Sequence, residues 1–182
     1  MNFSPDGKIV ALANTGNKTV KLVSIDGKLL HTLFRHKIGV NHTSFNSDGS
    51  LIASGSLDGM VKLWSVDGQL LQTFPAHTYS LGVQHVSFSA DDKILASAGA
   101  DGTVKLWSLD GQLLQTLQGH EGIVRYVAFN PDGKIIASAD EDGSIKLWHL
   151  DLEKLVKHSC DWVHGYLRNN PNVSTSDRYL CD

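Results

Sequence analysis

Three near-copies of one tetrapeptide end in tryptophan: Val61-Lys62-Leu63-Trp64, Val104-Lys105-Leu106-Trp107 and Ile145-Lys146-Leu147-Trp148. A fourth copy, Val20-Lys21-Leu22-Val23, precedes them. The tryptophans stand 43 and 41 residues apart, and a phenylalanine (Phe45, Phe88, Phe129) lies nineteen residues before each. Phe3 opens the first copy. Longer stretches also recur, as in Asp67-Gly68-Gln69-Leu70-Leu71-Gln72-Thr73 against Asp110-Gly111-Gln112-Leu113-Leu114-Gln115-Thr116. A chain that repeats at this interval builds one structural unit several times and buries its apolar surface between the copies.

Each copy reads as four short strands separated by turns. In the second copy the strands fall at Val40–Phe45, Leu51–Ser56, Met60–Ser65 and Leu70–Phe74. Asn46-Ser47-Asp48-Gly49, Asp58-Gly59 and Asp67-Gly68 supply the tight turns, with glycine taking the positive φ that such hairpins need. The second strand is rich in small residues, as expected of a strand packed between neighbouring sheets. No 3.6-residue apolar period occurs before residue 151, which excludes helices there.

Composition rules out several classes of function. The hydrophobic and charged fractions of the 182 residues, 41% and 19%, are those of an ordered globular chain. The net charge of −3 is small and its charges are interspersed, so nothing marks a nucleic-acid or membrane-surface partner. No apolar run is long enough to span a bilayer, and Met1 to Lys8 does not read as a signal peptide. Cys160 and Cys181 are accordingly expected to be reduced, in the cytoplasm.

On the repeated Phe, Asp-Gly and Trp positions, residues 1–150 resemble the WD40-repeat family. The resemblance implies an all-β fold of four-stranded blades set radially around a channel, in copies of about 1–34, 35–75, 76–118 and 119–150. It also implies hydrogen-bonded tetrads of His, Ser, Asp and Trp. Matching the motif assigns His36, Ser54, Asp58 and Trp64 to one, His77, Ser97, Asp101 and Trp107 to a second, and His120, Ser138, Asp142 and Trp148 to a third. An ionised aspartate only accepts, so histidine and serine donate to it directly or in series, while tryptophan buries its ring and donates its N–H. Three copies at one spacing point to a structural network, since a catalytic triad is a single constellation beside an oxyanion hole.

Departures from the pattern are informative. The dipeptide that names the family is replaced by Trp64-Ser65, Trp107-Ser108 and Trp148-His149. The first copy has Asn17 for the aspartate, Val23 for the tryptophan, and no preceding histidine. Rings of this family usually hold seven blades, at about 51° each, so four sweep only about 205° and leave two apolar faces open. Either the chain is the C-terminal part of a longer protein, or two copies complete each other. We take the first, because Met1-Asn2-Phe3-Ser4-Pro5-Asp6-Gly7 begins within a strand and the fourth copy lacks a fourth strand.

From Asp151 the pattern turns helical, with Leu152, Leu155, Val156, Val163, Tyr166 and Leu167 on one face and Asn169-Asn170-Pro171 as the stop. Residues 151–182 are therefore expected to form a short helical tail that packs on the last blade, with a separate partner-binding element as the alternative. Cys160 and His164 share helical spacing, but two ligands do not make a metal site.

Function is then expected to be protein binding, without catalysis or cofactor. Each Gly-Lys pair (Gly7-Lys8, Gly27-Lys28, Gly133-Lys134) lacks the upstream glycine of a phosphate loop, and kinase triplets are absent. Expected partners are other proteins or other domains of a parent chain, with self-association through the open faces as the alternative. The array resembles those appended to large prokaryotic signalling proteins, including nucleotide-binding switch proteins and kinases. The candidate partner surface is the loop end near the tetrads. The His77-to-Phe88 connection is two residues longer than its counterparts and carries Tyr79 and Leu81, while Leu57, Ala100 and Glu141 vary just before each tetrad aspartate.

Overall fold

Residues 1–78 and 81–150 are described by a computed structural model of the chain. Among them every regular element is a β-strand. The first sheet joins β1 (Asn2–Phe3), β2 (Ile9–Asn14), β3 (Thr19–Ser24) and β4 (Leu29–Leu33). The second joins β5 (Val40–Phe45), β6 (Leu51–Ser56), β7 (Met60–Ser65) and β8 (Leu70–Pro75). The third holds β9 (Val83–Phe88), β10 (Ile94–Gly99), β11 (Val104–Ser108) and β12 (Leu113–Leu117). The fourth has three strands among the described residues, β13 (Val124–Phe129), β14 (Ile135–Asp140) and β15 (Ile145–His149). All neighbours within a sheet are antiparallel and consecutive in the chain, so each blade is a meander closed by short turns. The expected helical tail lies outside the described residues.

The sheets stack face to face in chain order, and the core lies between them. The reason is visible in the second strand of each blade, whose side chains alternate between faces. One face carries small residues toward the next blade (Ala11, Ala53, Ala96); the other carries larger ones toward the preceding blade (Ile52, Leu95, Ile136). Between the first two blades Ala11, Val20, Leu22 and Leu33 pack on Val40, Ile52 and Trp64. Between the second and third, Ala53, Val61, Leu63, Phe74 and Ala76 pack on Val83, Val86, Phe88, Leu95 and Trp107. Gly55 shows how close this approach is. A Cβ there would lie 2.6 Å from a Val83 methyl carbon in the next blade.

Candidate functional site

The second-strand serine and the third-strand tryptophan are brought together by register. Ile52 pairs with Trp64 across β6 and β7, which places Ser54 one step along on the same face. Trp64 Nε1 donates to Ser54 Oγ at 2.9 Å, and Ser54 Oγ lies 2.8 Å from His36 Nε2. His36 Nδ1 in turn lies 3.2 Å from Asp58 Oδ2. Because tryptophan only donates, the serine hydroxyl proton goes to Nε2, and Nδ1–H goes to the carboxylate. The four groups thus form a one-way chain from tryptophan to aspartate. It repeats in the third blade, with Trp107 to Ser97 at 3.0 Å, Ser97 to His77 at 2.8 Å and His77 to Asp101 at 2.9 Å.

Each chain also ties a connection to its blade. His36 sits between β4 and β5, and Asp58 accepts the backbone N–H of Lys37 at 2.7 Å and of Met60 at 3.0 Å. The carboxylate therefore clamps the crossover from one blade to the turn of the next. Burial by itself would raise the Asp58 carboxyl; the hydrogen bonds from His36 and the two amides outweigh it and hold the group well below the ordinary carboxylate range. Asp101 is lowered likewise, with burial opposed by His77 and Thr103.

The fourth blade corrects the reading from spacing. Trp148 donates to Ser138 at 2.8 Å and Ser138 reaches His120 at 2.6 Å, but His120 Nδ1 pairs with Asp140 at 2.8 Å, not with Asp142. The position of Asp140 holds Ser56 in the second blade and Gly99 in the third. A Cβ on Gly99 would collide with His77 Nδ1, so a side chain at this position starts out pointing at the histidine. An acid there reaches the ring first. Asp140 also accepts Ser144 N–H at 2.8 Å, and Asp142 is left exposed in the turn.

The Ser-His-Asp order resembles a nucleophilic triad, yet Ser54, Ser97 and Ser138 are buried and each hydroxyl already carries a tryptophan N–H. An electrophile has no approach to these oxygens. Among the described residues, no three His, Cys, Asp or Glu side chains gather as a metal site, and no helix is long and apolar enough to cross a membrane. The Cys160–His164 pair lies outside the described residues.

The tetrad ends of the blades carry the other candidate residues. Leu57, Ala100 and Glu141 occupy one backbone station: their amides donate to Gly39 O, Gly82 O and Ile123 O at 2.9, 2.9 and 3.0 Å. Their side chains differ completely on this common frame. Leu57 and Ala100 are half-buried, whereas Glu141 is exposed and takes Arg125 Nη2 at 2.9 Å. Arg125 also donates to Gln84 Oε1 of the third blade at 2.7 Å. Leu81 is 52% exposed and held at φ +64°, a left-handed conformation uncommon for leucine. Tyr79 lies outside the described residues.

One cluster escaped the motif. His42, His85 and Tyr126 each stand three residues before the repeated phenylalanine, and their rings stack from blade to blade. The His42 and His85 centroids are 3.6 Å apart and those of His85 and Tyr126 are 5.6 Å apart. Burial, with the charge of His85 and the chain's amino terminus, pushes His42 down to about 3. Burial pushes His85 down to about 4.

Comparison with known families matches the chain at residues 27–65, 68–108 and 111–149 to the WD40 model, described as WD domain, G-beta repeat. Each matched segment starts at the last strand of one blade and ends with the third strand of the next, so every match contains the connection bearing the tetrad histidine. The chain is 34% identical over 77 residues to COMPASS component SWD3 of Saccharomyces cerevisiae, covering 42% of this chain and 24% of that protein. It is 36% identical over 67 residues to the guanine nucleotide-binding protein subunit beta of Schizosaccharomyces pombe, covering 36% of this chain and 21% of that protein. It is 41% identical over 63 residues to the periodic tryptophan protein 2 homolog of S. pombe, covering 34% and 7%. The chain thus spans about a quarter or less of the length of these relatives.

Proposed function

The chain belongs to the WD40-repeat family, and we propose that it works as a scaffold that docks other proteins, or other domains of a parent signalling chain, on the tetrad end of its blades. The observation that carries this reading is the shared station of Leu57, Ala100 and Glu141. Identical backbone bonding holds three chemically unlike side chains on one edge, so the surface can vary without disturbing the frame. Leu81 adds an exposed apolar group beside them. An apolar anchor rimmed by an Arg125–Glu141 ion pair has the composition of a protein-binding patch. The buried tetrads supply rigidity, and the surface supplies selectivity.

Site-specific photocrosslinking in the source cells tests this reading. A crosslinking residue at Leu81 or Glu141 should capture a defined set of proteins. One at Asp132, in the turn at the opposite end of the fourth blade, should not. Equal capture from both ends would remove the tetrad end as the docking face.

A further inference from the structure

We propose that the connection between the first and second blades is a docking site for an acidic peptide segment, one that carries an apolar side chain beside carboxylates. The inference rests on the docking reading of the tetrad end and names the chemistry of a partner there. The repeat itself marks the site. His36, His77 and His120 hold one station in three successive connections, but the residues around them change. Phe34 stands where the later connections have Pro75 and Gln118, Arg35 where they have Ala76 and Gly119, and Lys37 where they have Thr78 and Glu121. A fixed histidine among freely varied neighbours is the same division of frame and surface as at Leu57, Ala100 and Glu141.

In the first of these connections the variation yields an apolar group rimmed by cations. Phe34 is 63% exposed, and Arg35 and Lys37 are exposed on either side of the buried His36. Pro75 and Gln118 are exposed as well, on the second and third blades, each of which has a neighbouring blade on both faces. The exposure therefore belongs to the station and not to an end of the chain. Lys62 of β7 is buried, and its Nζ donates to Thr73 Oγ1 at 3.0 Å. Burial lowers the Lys62 ammonium from its ordinary value; Asp58 opposes this, and the charges of Arg35 and Lys37 add to it. Three cations thus share one electrostatic neighbourhood. Asp58, the acid that faces them, is committed to His36 and to the amides of Lys37 and Met60. Among the described residues the lysine and arginine ion pairs are those of Lys8, Lys93 and Arg125, so Arg35, Lys37 and Lys62 are in none of them.

Arg35 is held against its backbone preference. Its φ is +127°, in the region that favours glycine, and Gly119 takes φ +143° at the same station before the fourth blade. Glycine would relieve this position, so what arginine adds is its guanidinium. Asp58 fixes the backbone beside it through the Lys37 amide, and cations on a fixed backbone lose little freedom on binding. The occupant is a short acidic segment and not a long polyanion, because the same end of the blades turns acidic farther on. Glu121 and Asp142 are exposed there, and Glu141 is paired with Arg125. A nucleic-acid backbone following this rim would meet those acids, whereas a peptide confined to one connection does not.

Selection of random displayed peptides on the full chain tests the proposal. The enriched peptides are expected to share an aliphatic or aromatic residue flanked by aspartate or glutamate. Repeated on an Arg35→Glu, Lys37→Glu variant, the selection should lose those acids and acquire lysine or arginine. A fluorescent peptide of the enriched sequence should bind the parent chain less tightly as salt is raised, and the double variant about tenfold or more weakly. Arg35→Gly separates recognition from architecture. It should keep or raise the melting temperature, since glycine suits this backbone, while weakening the peptide several-fold. Phe34→Ser should also weaken binding without lowering the melting temperature. A pool from the parent chain that is not enriched in acids would overturn the proposal, as would the same acidic peptides selected on the double variant. An Arg35→Gly chain that melts lower yet binds as tightly would assign the arginine to the fold and overturn it too. Phosphatidylserine vesicles that bind through the same residues as tightly as the peptide would reassign the patch to a membrane surface. Crosslinking from Leu81 and Glu141 reads the docking end separately, so partners captured there with no acidic peptide selected would remove this inference and leave that reading standing.

Discussion

At the scale of single residues, what the tetrads contribute depends on which acid is buried against the histidine. Asp58 accepts from His36, Lys37 and Met60, and its removal strands three donors in a buried site. Asp58→Ala is expected to cost about 1–3 kcal/mol, read from chemical denaturation. The fourth blade provides a sharper comparison. Asp140→Ala should lower the melting temperature clearly, whereas Asp142→Ala should leave it nearly unchanged, because only Asp140 meets His120. Equal effects would show that the carboxylate at the histidine is not fixed by this geometry. Serine, histidine and tryptophan were legible in the sequence because a fixed spacing on paired strands fixes their mutual placement. The acid of the fourth blade was not. Asp140-Glu141-Asp142 offers two aspartates to one ring, and counting along the repeat chooses the one in the familiar register. Only the direction of the side chain at the end of β14 decides between them.

At the scale of the element, the strands of the second blade were legible because Asn46-Ser47-Asp48-Gly49, Asp58-Gly59 and Asp67-Gly68 separate them, and β5, β6 and β7 run where the alternation places them. Among the described residues β15 has no outer neighbour, and the expected change of apolar period after residue 150 lies outside them. The irregularities inside the sheets were not legible. Register shifts fall at Leu22/Val23, Leu63/Trp64 and Leu106/Trp107, the same step of the third strand in three blades. A bulge of this kind adds a residue without altering the polar–apolar alternation enough to be read, although its recurrence shows that it is built into the repeat. Blade-to-blade distance was likewise hidden in composition. Gly55, where the other blades have Ala13, Ala98 and Ala139, faces Val83 with no room for a methyl group. Gly55→Ala should therefore cost about 1–3 kcal/mol by overpacking, although alanine is the residue at the matching places. A thermal melt that shows no loss would mean that the second and third blades can move apart freely.

At the scale of the whole molecule, the ring stack of His42, His85 and Tyr126 runs through three blades and makes their packing sensitive to acid. Both histidines are held below the ordinary value of 6.5, His42 at about 3 and His85 at about 4, chiefly by burial. The fold therefore keeps them neutral, while the unfolded chain binds protons as the pH drops below 6.5. Stability linked to these rings is complete above pH 6.5 and declines as the pH falls toward about 4, where His85 begins to protonate in the fold as well. The slope per histidine is at most about 1.4 kcal/mol per pH unit, reduced by whatever solvent reaches the ring. Asp58 and Asp101 act in a different window. Their carboxyls are depressed in the fold, so their contribution is present above the ordinary value of 3.8 and is lost only below it. The acid limb of the stability curve should accordingly have two parts, the upper one belonging to the stack. In melting temperatures taken from pH 7.5 down to about 4.5, a His42→Gln, His85→Gln double variant should start lower, having lost its stacked rings, yet fall less steeply than the parent chain. A variant as steep as the parent would assign the upper limb to other groups and leave the stack as packing alone.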